Sequence, residues 1–109
     1  MDKQTAICSY LKKNHTGRDK AVLSRELERL FCLEGRSLRR RISRLRQDGY
    51  PICSNENGYY YAETQQDINS TVCRLNELIT KISNSRTGLL YASVRSDEPV
   101  TLNININLK

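Results

Sequence analysis

A chain of 109 residues with 38 % apolar and 28 % charged residues, no Trp and a single Phe has material for one thin core and an appended element, and too little for two independent cores. No apolar run approaches the roughly 20 residues of a membrane-spanning helix and no signal-peptide pattern opens the chain, so a cytoplasmic protein is expected. The formal charge of +6 is unevenly placed: residues 1–62 hold thirteen Lys and Arg against seven Asp and Glu, whereas residues 63–109 hold five against five, which directs the search for an anionic partner to the first half.

Residues 2–13 place Ala6, Ile7, Tyr10 and Leu11 at helical spacing and residues 14–17 break the pattern, so a first helix of about three turns is expected. After the short apolar stretch 21–23, Ser24 is the expected N-cap of a second helix reaching Phe31, with Leu27, Leu30 and Phe31 on one side. Residues 32–34 leave room only for a tight turn into a third helix beginning at Gly35.

That third segment, GRSLRRRISRLRQDGYPI, carries six arginines within eleven positions. Leu38, Ile42 and Leu45 stand at i, i+4 and i+7 and form the stripe that docks on the first two helices. At about 100° per residue, Arg36, Arg40, Ser43 and Gln47 fall opposite the stripe, with Arg44 and Ser37 beside them and Arg39, Arg41 and Arg46 on the flanks. Gly49 suits the left-handed residue that ends a helix, and Pro51 prevents a restart.

Residues 52–61 read as strand, turn, strand, because Asn57-Gly58 tolerates the positive φ of a tight hairpin and three tyrosines follow. Tyr59 and Tyr61 share the face expected to pack on the third helix, and Tyr60 is expected to point away. From Thr64 the pattern changes. Thr64 and Asp67 are spaced as a capping box, and Ile68, Val72, Leu75, Ile79 and Ile82 alternate by four and three, which predicts a long amphipathic helix. Continued to Val94 it would span roughly 45 Å at 1.5 Å per residue, more than a domain of this size covers, so part of its apolar face needs another partner. Gly88 weakens the distal half, and a break within 84–88 is the alternative. In the tail VTLNININLK, Leu102, Ile104, Ile106 and Leu108 alternate with asparagines, the period of a half-buried strand.

Three short helices, the third rich in arginine and followed at once by a hairpin, stand in the order of a winged helix-turn-helix. Residues 24–62, SRELERLFCLEGRSLRRRISRLRQDGYPICSNENGYYYA, resemble winged-helix DNA-binding domains of the biotin-operon-repressor class. More loosely they resemble phage and prophage winged-helix proteins in which GYYYA leads straight into a long helix. The matching pieces are S-R-E-L, R-S-L-R with I-S-R-L-R, G-Y-P-I and N-G-Y-Y-Y-A. Two positions depart from the pattern: Cys32 stands where such turns often have Gly, and Glu34 replaces the usual Ser or Thr cap.

The fold class expected is therefore mainly α with a small β-wing: a winged helix-turn-helix over residues 1–62, a long helix over 63–95 that pairs two copies, and a tail over 96–109. The resemblance implies a recognition helix in the major groove and a wing against the backbone or minor groove. The residues agree, since an arginine donates two parallel hydrogen bonds to a guanine edge or clamps a phosphate. Arg36, Ser37, Arg40, Arg44 and Gln47 are the groove-facing candidates, Arg39 and Arg41 the phosphate contacts, and Asn55, Asn57 and Tyr60 the wing contacts. Ile68, Val72, Leu75, Ile79 and Ile82 are the dimerisation candidates. A salt-bridged surface helix, an ordinary exposed turn, and a long helix folded back on its own domain are the alternatives for these three regions.

No Gly-rich phosphate loop, H-E-x-x-H or nucleophile elbow occurs, so neither an enzyme nor a cofactor or metal is expected. Cys8, Cys32, Cys53 and Cys73 are too widely spaced for a CxxC pair and are expected as reduced, small buried hydrophobes. His15 stands alone at a helix end and is expected in solvent. The function expected is sequence-specific binding of double-stranded DNA by a homodimeric, phage-type transcriptional regulator. The alternative is an adaptor in phage replication or assembly whose long helix and tail dock a protein partner. RNA binding ranks below both, because single-stranded recognition usually presents more stacking aromatics.

Overall fold

The computed structural model describes residues 2–92. It is mainly helical with one two-stranded antiparallel sheet. The elements are α1 (Lys3–Asn14), α2 (Ser24–Phe31), α3 (Gly35–Gln47), β1 (Ile52–Asn55), β2 (Gly58–Tyr61) and α4 (Gln65–Leu90), with one 3-10 turn at Arg18–Lys20. The tail and the end of the predicted long helix, residues 93–109, lie outside the described residues.

The helices form where the apolar spacing placed them. Ile7 and Leu11 of α1, Leu27 of α2, Leu38, Ile42 and Leu45 of α3 and Ile52 of β1 make the buried core, with Tyr10, Phe31, Tyr59 and Tyr61 packed partly against it. Leu30, expected on the buried side of α2, is 54 % exposed, because α3 and α1 cover only the arc around Leu27 and Phe31. Asp2 caps α1 by accepting from the Thr5 N–H at 2.8 Å, and that backbone bond holds its carboxyl below the usual range. Ser24 is the first helical residue of α2 and not its cap: Leu23 takes the cap position without a side-chain bond, and the Ser24 hydroxyl instead reaches Glu28 at 3.4 Å.

Both ends of the α2–α3 pair close through left-handed residues. At the end of α3, Gly49 adopts φ +97°, and Gly49 N–H and Tyr50 N–H donate to the carbonyls of Arg46 and Leu45, both at 3.0 Å, the double closure that satisfies terminal carbonyls. At the end of α2, Cys32 takes the same role with φ 55° and ψ 51°, while Leu33 N–H donates to the Glu28 carbonyl at 2.9 Å. The turn geometry is thus kept although glycine is absent, and a Cβ in that region costs about 1–2 kcal/mol. Cys32→Gly is therefore expected to raise stability by about 1 kcal/mol, less the entropy that glycine adds to the unfolded chain, seen as a higher urea midpoint. A lowered midpoint would show that the Cys32 side chain contributes packing.

The hairpin pairs Ile52 with Tyr61, Cys53 with Tyr60, Ser54 with Tyr59 and Asn55 with Gly58, so Glu56 and Asn57 alone form its tip. Two isolated bridges that no local pattern announces bind it to the segment between α1 and α2: Val22 bridges Tyr59, and Thr16 bridges Tyr61. The stretch 21–23, read only as apolar, thus supplies a third strand-like edge.

The first two turns of α4 belong to the same compact unit, which runs to Cys73. The capping box forms: Asp67 N–H donates to the Thr64 hydroxyl at 3.2 Å, and Asp67 Oδ2 accepts from the N–H groups of Glu63 and Thr64 at 2.9 and 3.2 Å. Its Oδ1 accepts two bonds from Arg18, at 3.2 and 3.1 Å, and the residue is 4 % exposed. The Glu63 backbone bond first, and the Thr64 and Arg18 bonds after it, hold the carboxyl below 3.8 against the opposing effect of burial. A depressed folded-state pKa contributes stability that is present above the unfolded value and lost as pH falls through the folded one. Asp67→Asn is accordingly expected to cost about 2–3 kcal/mol at pH 7, a deficit that shrinks as pH drops below about 4. Denaturant titrations of both proteins at pH 7 and pH 3 check it, and an equal deficit at both would refute the assignment to charge.

The second unit begins at Arg74. Its described part is the remainder of α4, continuous through Leu90 with no break at Gly88.

Candidate nucleic-acid interface

α3 is anchored from behind by Leu38, Ile42 and Leu45, which are 0, 1 and 3 % exposed. Helical geometry then aims the opposite arc outward, and Arg36, Arg39, Arg40, Ser43, Arg44 and Gln47 are all exposed. Ser37 and Arg41 are half-buried; Arg41 lies close enough to Asp2 to help lower its pKa. Among the described residues the ion pairs are Arg18 with Asp67 and Arg29 with Glu26, so no arginine of α3 has a carboxylate within ion-pair distance. Among the described residues, the salt-bridged alternative for this helix does not form. Gln47 Nε2 donates to the Ser43 hydroxyl at 3.1 Å, a pairing that the i, i+4 spacing permits.

Arg46 differs from its neighbours. Its Nε–H donates to the Ile52 carbonyl at 2.7 Å and its Nη2 to the Ser54 hydroxyl at 3.3 Å, and burial pushes its pKa below the ordinary guanidinium value. This arginine fastens the end of α3 to β1.

The hairpin departs from two expectations, at Tyr60 and at Asn55. Tyr60, predicted to point outward, is 2 % exposed, and its cross-strand partner Cys53 is 1 % exposed. The faces alternate along the strand as expected, but the start of α4 covers the face assigned to solvent: Thr71, 5 % exposed, accepts from Ser54 N–H at 3.2 Å. Burial raises the pKa of both Cys53 and Tyr60. Tyr60 is therefore a core residue and not a wing contact. Asn55 is half-buried and its amide is occupied within the molecule, accepting from Asn57 N–H at 2.8 Å and donating to the Arg18 carbonyl at 3.4 Å. Asn57 remains exposed at the tip beside Glu56. Residues 48–62 contain no Lys or Arg, so the cationic surface is that of α3 and not of the hairpin.

His15, expected in solvent, is half-buried. Its Nδ1 lies 2.8 Å from the Lys20 carbonyl, to which it donates, its ring sits 5.1 Å from that of Tyr10, and its Nε2 is buried without a partner among the described residues. It is a packing residue of the loop after α1. Of the cysteines, Cys53 is buried as expected and Cys8 half-buried, whereas Cys32 and Cys73, also expected to be buried, are exposed; all four are free thiols.

Along α4, Ile68 and Leu75 are half-buried, while Val72, Ile79 and Ile82 are 49, 62 and 62 % exposed, joined by Leu78, Leu89 and Leu90. None of the described helices is long and apolar enough to cross a membrane, and no group of three potential metal ligands gathers among the described residues. Comparison with protein-family models, with curated proteins and with solved structures finds no match to this chain.

Proposed function

We propose that the protein binds double-stranded DNA in a sequence-specific manner through a winged helix-turn-helix, as a small transcriptional regulator of the phage type. In this reading α3 lies in the major groove and two copies pair through α4. The observation that carries it is the outward arc of α3, where Arg36, Arg39, Arg40 and Arg44 are exposed with no carboxylate within ion-pair distance among the described residues. Cations gathered on one helix repel one another until an anion arrives, and a rigid apolar stripe behind them holds the array ready for a groove. The order of α1, the Val22 edge, α2, the Cys32 turn, α3 and the hairpin supports the fold name. Titration of a fluorescent duplex between 50 and 200 mM salt tests the reading: counterion release demands a fall in affinity of orders of magnitude, and salt-independent binding would sink it.

Pairing through α4 is supported by the exposure of Val72, Ile79 and Ile82, members of the series Ile68, Val72, Leu75, Ile79 and Ile82 that alternates by four and three as a helix seam requires, and by the way paired readers meet successive turns of duplex. Light scattering on the eluting protein at micromolar concentration is expected to give the mass of two chains, and a single-chain mass would end the dimer. The same exposed face favours a second reading, an adaptor in phage replication or assembly that docks a different protein there. A selection from random duplexes that returns no preferred sequence, together with a stoichiometric complex with that protein, would support it over the first.

A further inference from the structure

We propose that α3 selects a guanine-rich half-site in which guanines recur about two base steps apart and an adenine follows the last of them. This rests on the DNA-binding reading above. Arg36, Arg40 and Arg44 form one row at i, i+4 and i+8, each exposed, and the helix advances about 6 Å between successive members. Stacked bases advance about 3.4 Å along a strand, so neighbouring members of the row meet bases about two steps apart. The edge that best matches a guanidinium fork is guanine, whose O6 and N7 accept both parallel bonds. Adenine and cytosine each present an amino donor in the major groove, which an arginine cannot accept.

Gln47 lies one turn beyond Arg44 on the same outward arc. Its Nε2 donates one N–H to Ser43 at 3.1 Å, which leaves the second N–H and Oε1 free. Those two groups are what adenine requires, a donor for N7 and an acceptor for the N6 amino group. The Ser43 hydroxyl thus orients the Gln47 amide: Gln47 is the specificity residue, and Ser43 is its positioning residue. The flanking Arg39 is left for phosphate.

Selection of bound duplexes from a random library by the full chain, followed by anisotropy titration of the best duplex and its single-base variants, tests the assignment. Guanines at two-step spacing, each replacement weakening binding about 10-fold, and an adenine beyond them are expected. Arg40→Ala should abolish the preference at the central guanine alone. Ser43→Ala should reduce the adenine preference about 3-fold or more while leaving the guanine preferences intact, a change that general loss of folding cannot produce. Selected sites without guanine at those steps, or an adenine preference indifferent to both Ser43→Ala and Gln47→Ala, would overturn the proposal while DNA binding itself stands. Failure to bind any duplex at low salt would instead overturn the DNA-binding reading, and this assignment with it.

Discussion

Gly58→Ala is expected to destabilise the protein by about 3 kcal/mol or more, seen as a lower urea midpoint with an unchanged slope. Two independent causes act at this position. Its φ of +126° lies where a side chain is strained, and a Cβ would collide with the Val22 carbonyl oxygen and come within 2.9 Å of Leu23 Cα. The obstacle is backbone and cannot rotate aside. It cannot retreat cheaply either, because Val22 and Tyr59 exchange two backbone hydrogen bonds of 2.8 and 2.9 Å there, and separating the strands would leave those groups unpaired. Gly88, with open space around it, is the internal control: Gly88→Ala should stabilise α4 by a few tenths to about 1 kcal/mol. Similar effects at the two glycines would refute the assignment.

Arg40→Ala combined with Arg44→Ala is expected to weaken duplex binding by about 3–5 kcal/mol, since a good bidentate base contact contributes about 1–3 kcal/mol and these two sites are neighbours, so the losses need not add. Thermal unfolding should change little, because both side chains are exposed and hold nothing in place. If instead the two arginines touch only phosphates, affinity falls uniformly over all sequences and the salt slope drops by about 2. Arg46 provides the contrast. It belongs to the same basic run, but its bonds to Ile52 and Ser54 make its removal a matter of folding. An Arg40/Arg44 double variant that binds duplex as tightly as the parent would remove the basis for the proposed function.

The helices, their buried stripes and the outward arc of α3 were legible in the chain because each depends on contacts no more than one or two turns apart. The i, i+4, i+7 spacing of Leu38, Ile42 and Leu45 sets which side of α3 must leave water, and the arginines follow on the other side with no further information. Gly49 at the end of α3 and Thr64 with Asp67 at the start of α4 were equally readable, since helix ends require partners for their free N–H and C=O groups and these residues supply them locally.

Tertiary structure decided which faces were covered and by what. The period of two along the hairpin divides Tyr60 from Tyr59 and Tyr61, but whether the second face meets water depends on α4 returning across it, a contact between residues far apart in the chain. The same holds for Leu30 left exposed, for His15 drawn under Tyr10, and for Arg46 turned to the hairpin while its neighbours face outward. Cys32 entered a left-handed conformation that its own side chain disfavours because the packing of α2 against α3 outweighs a local preference of 1–2 kcal/mol or so. Short-range periodicity therefore determined the elements and the cationic arc of this protein, and long-range packing alone decided that its hairpin is covered by the first turns of α4 with only its tip exposed.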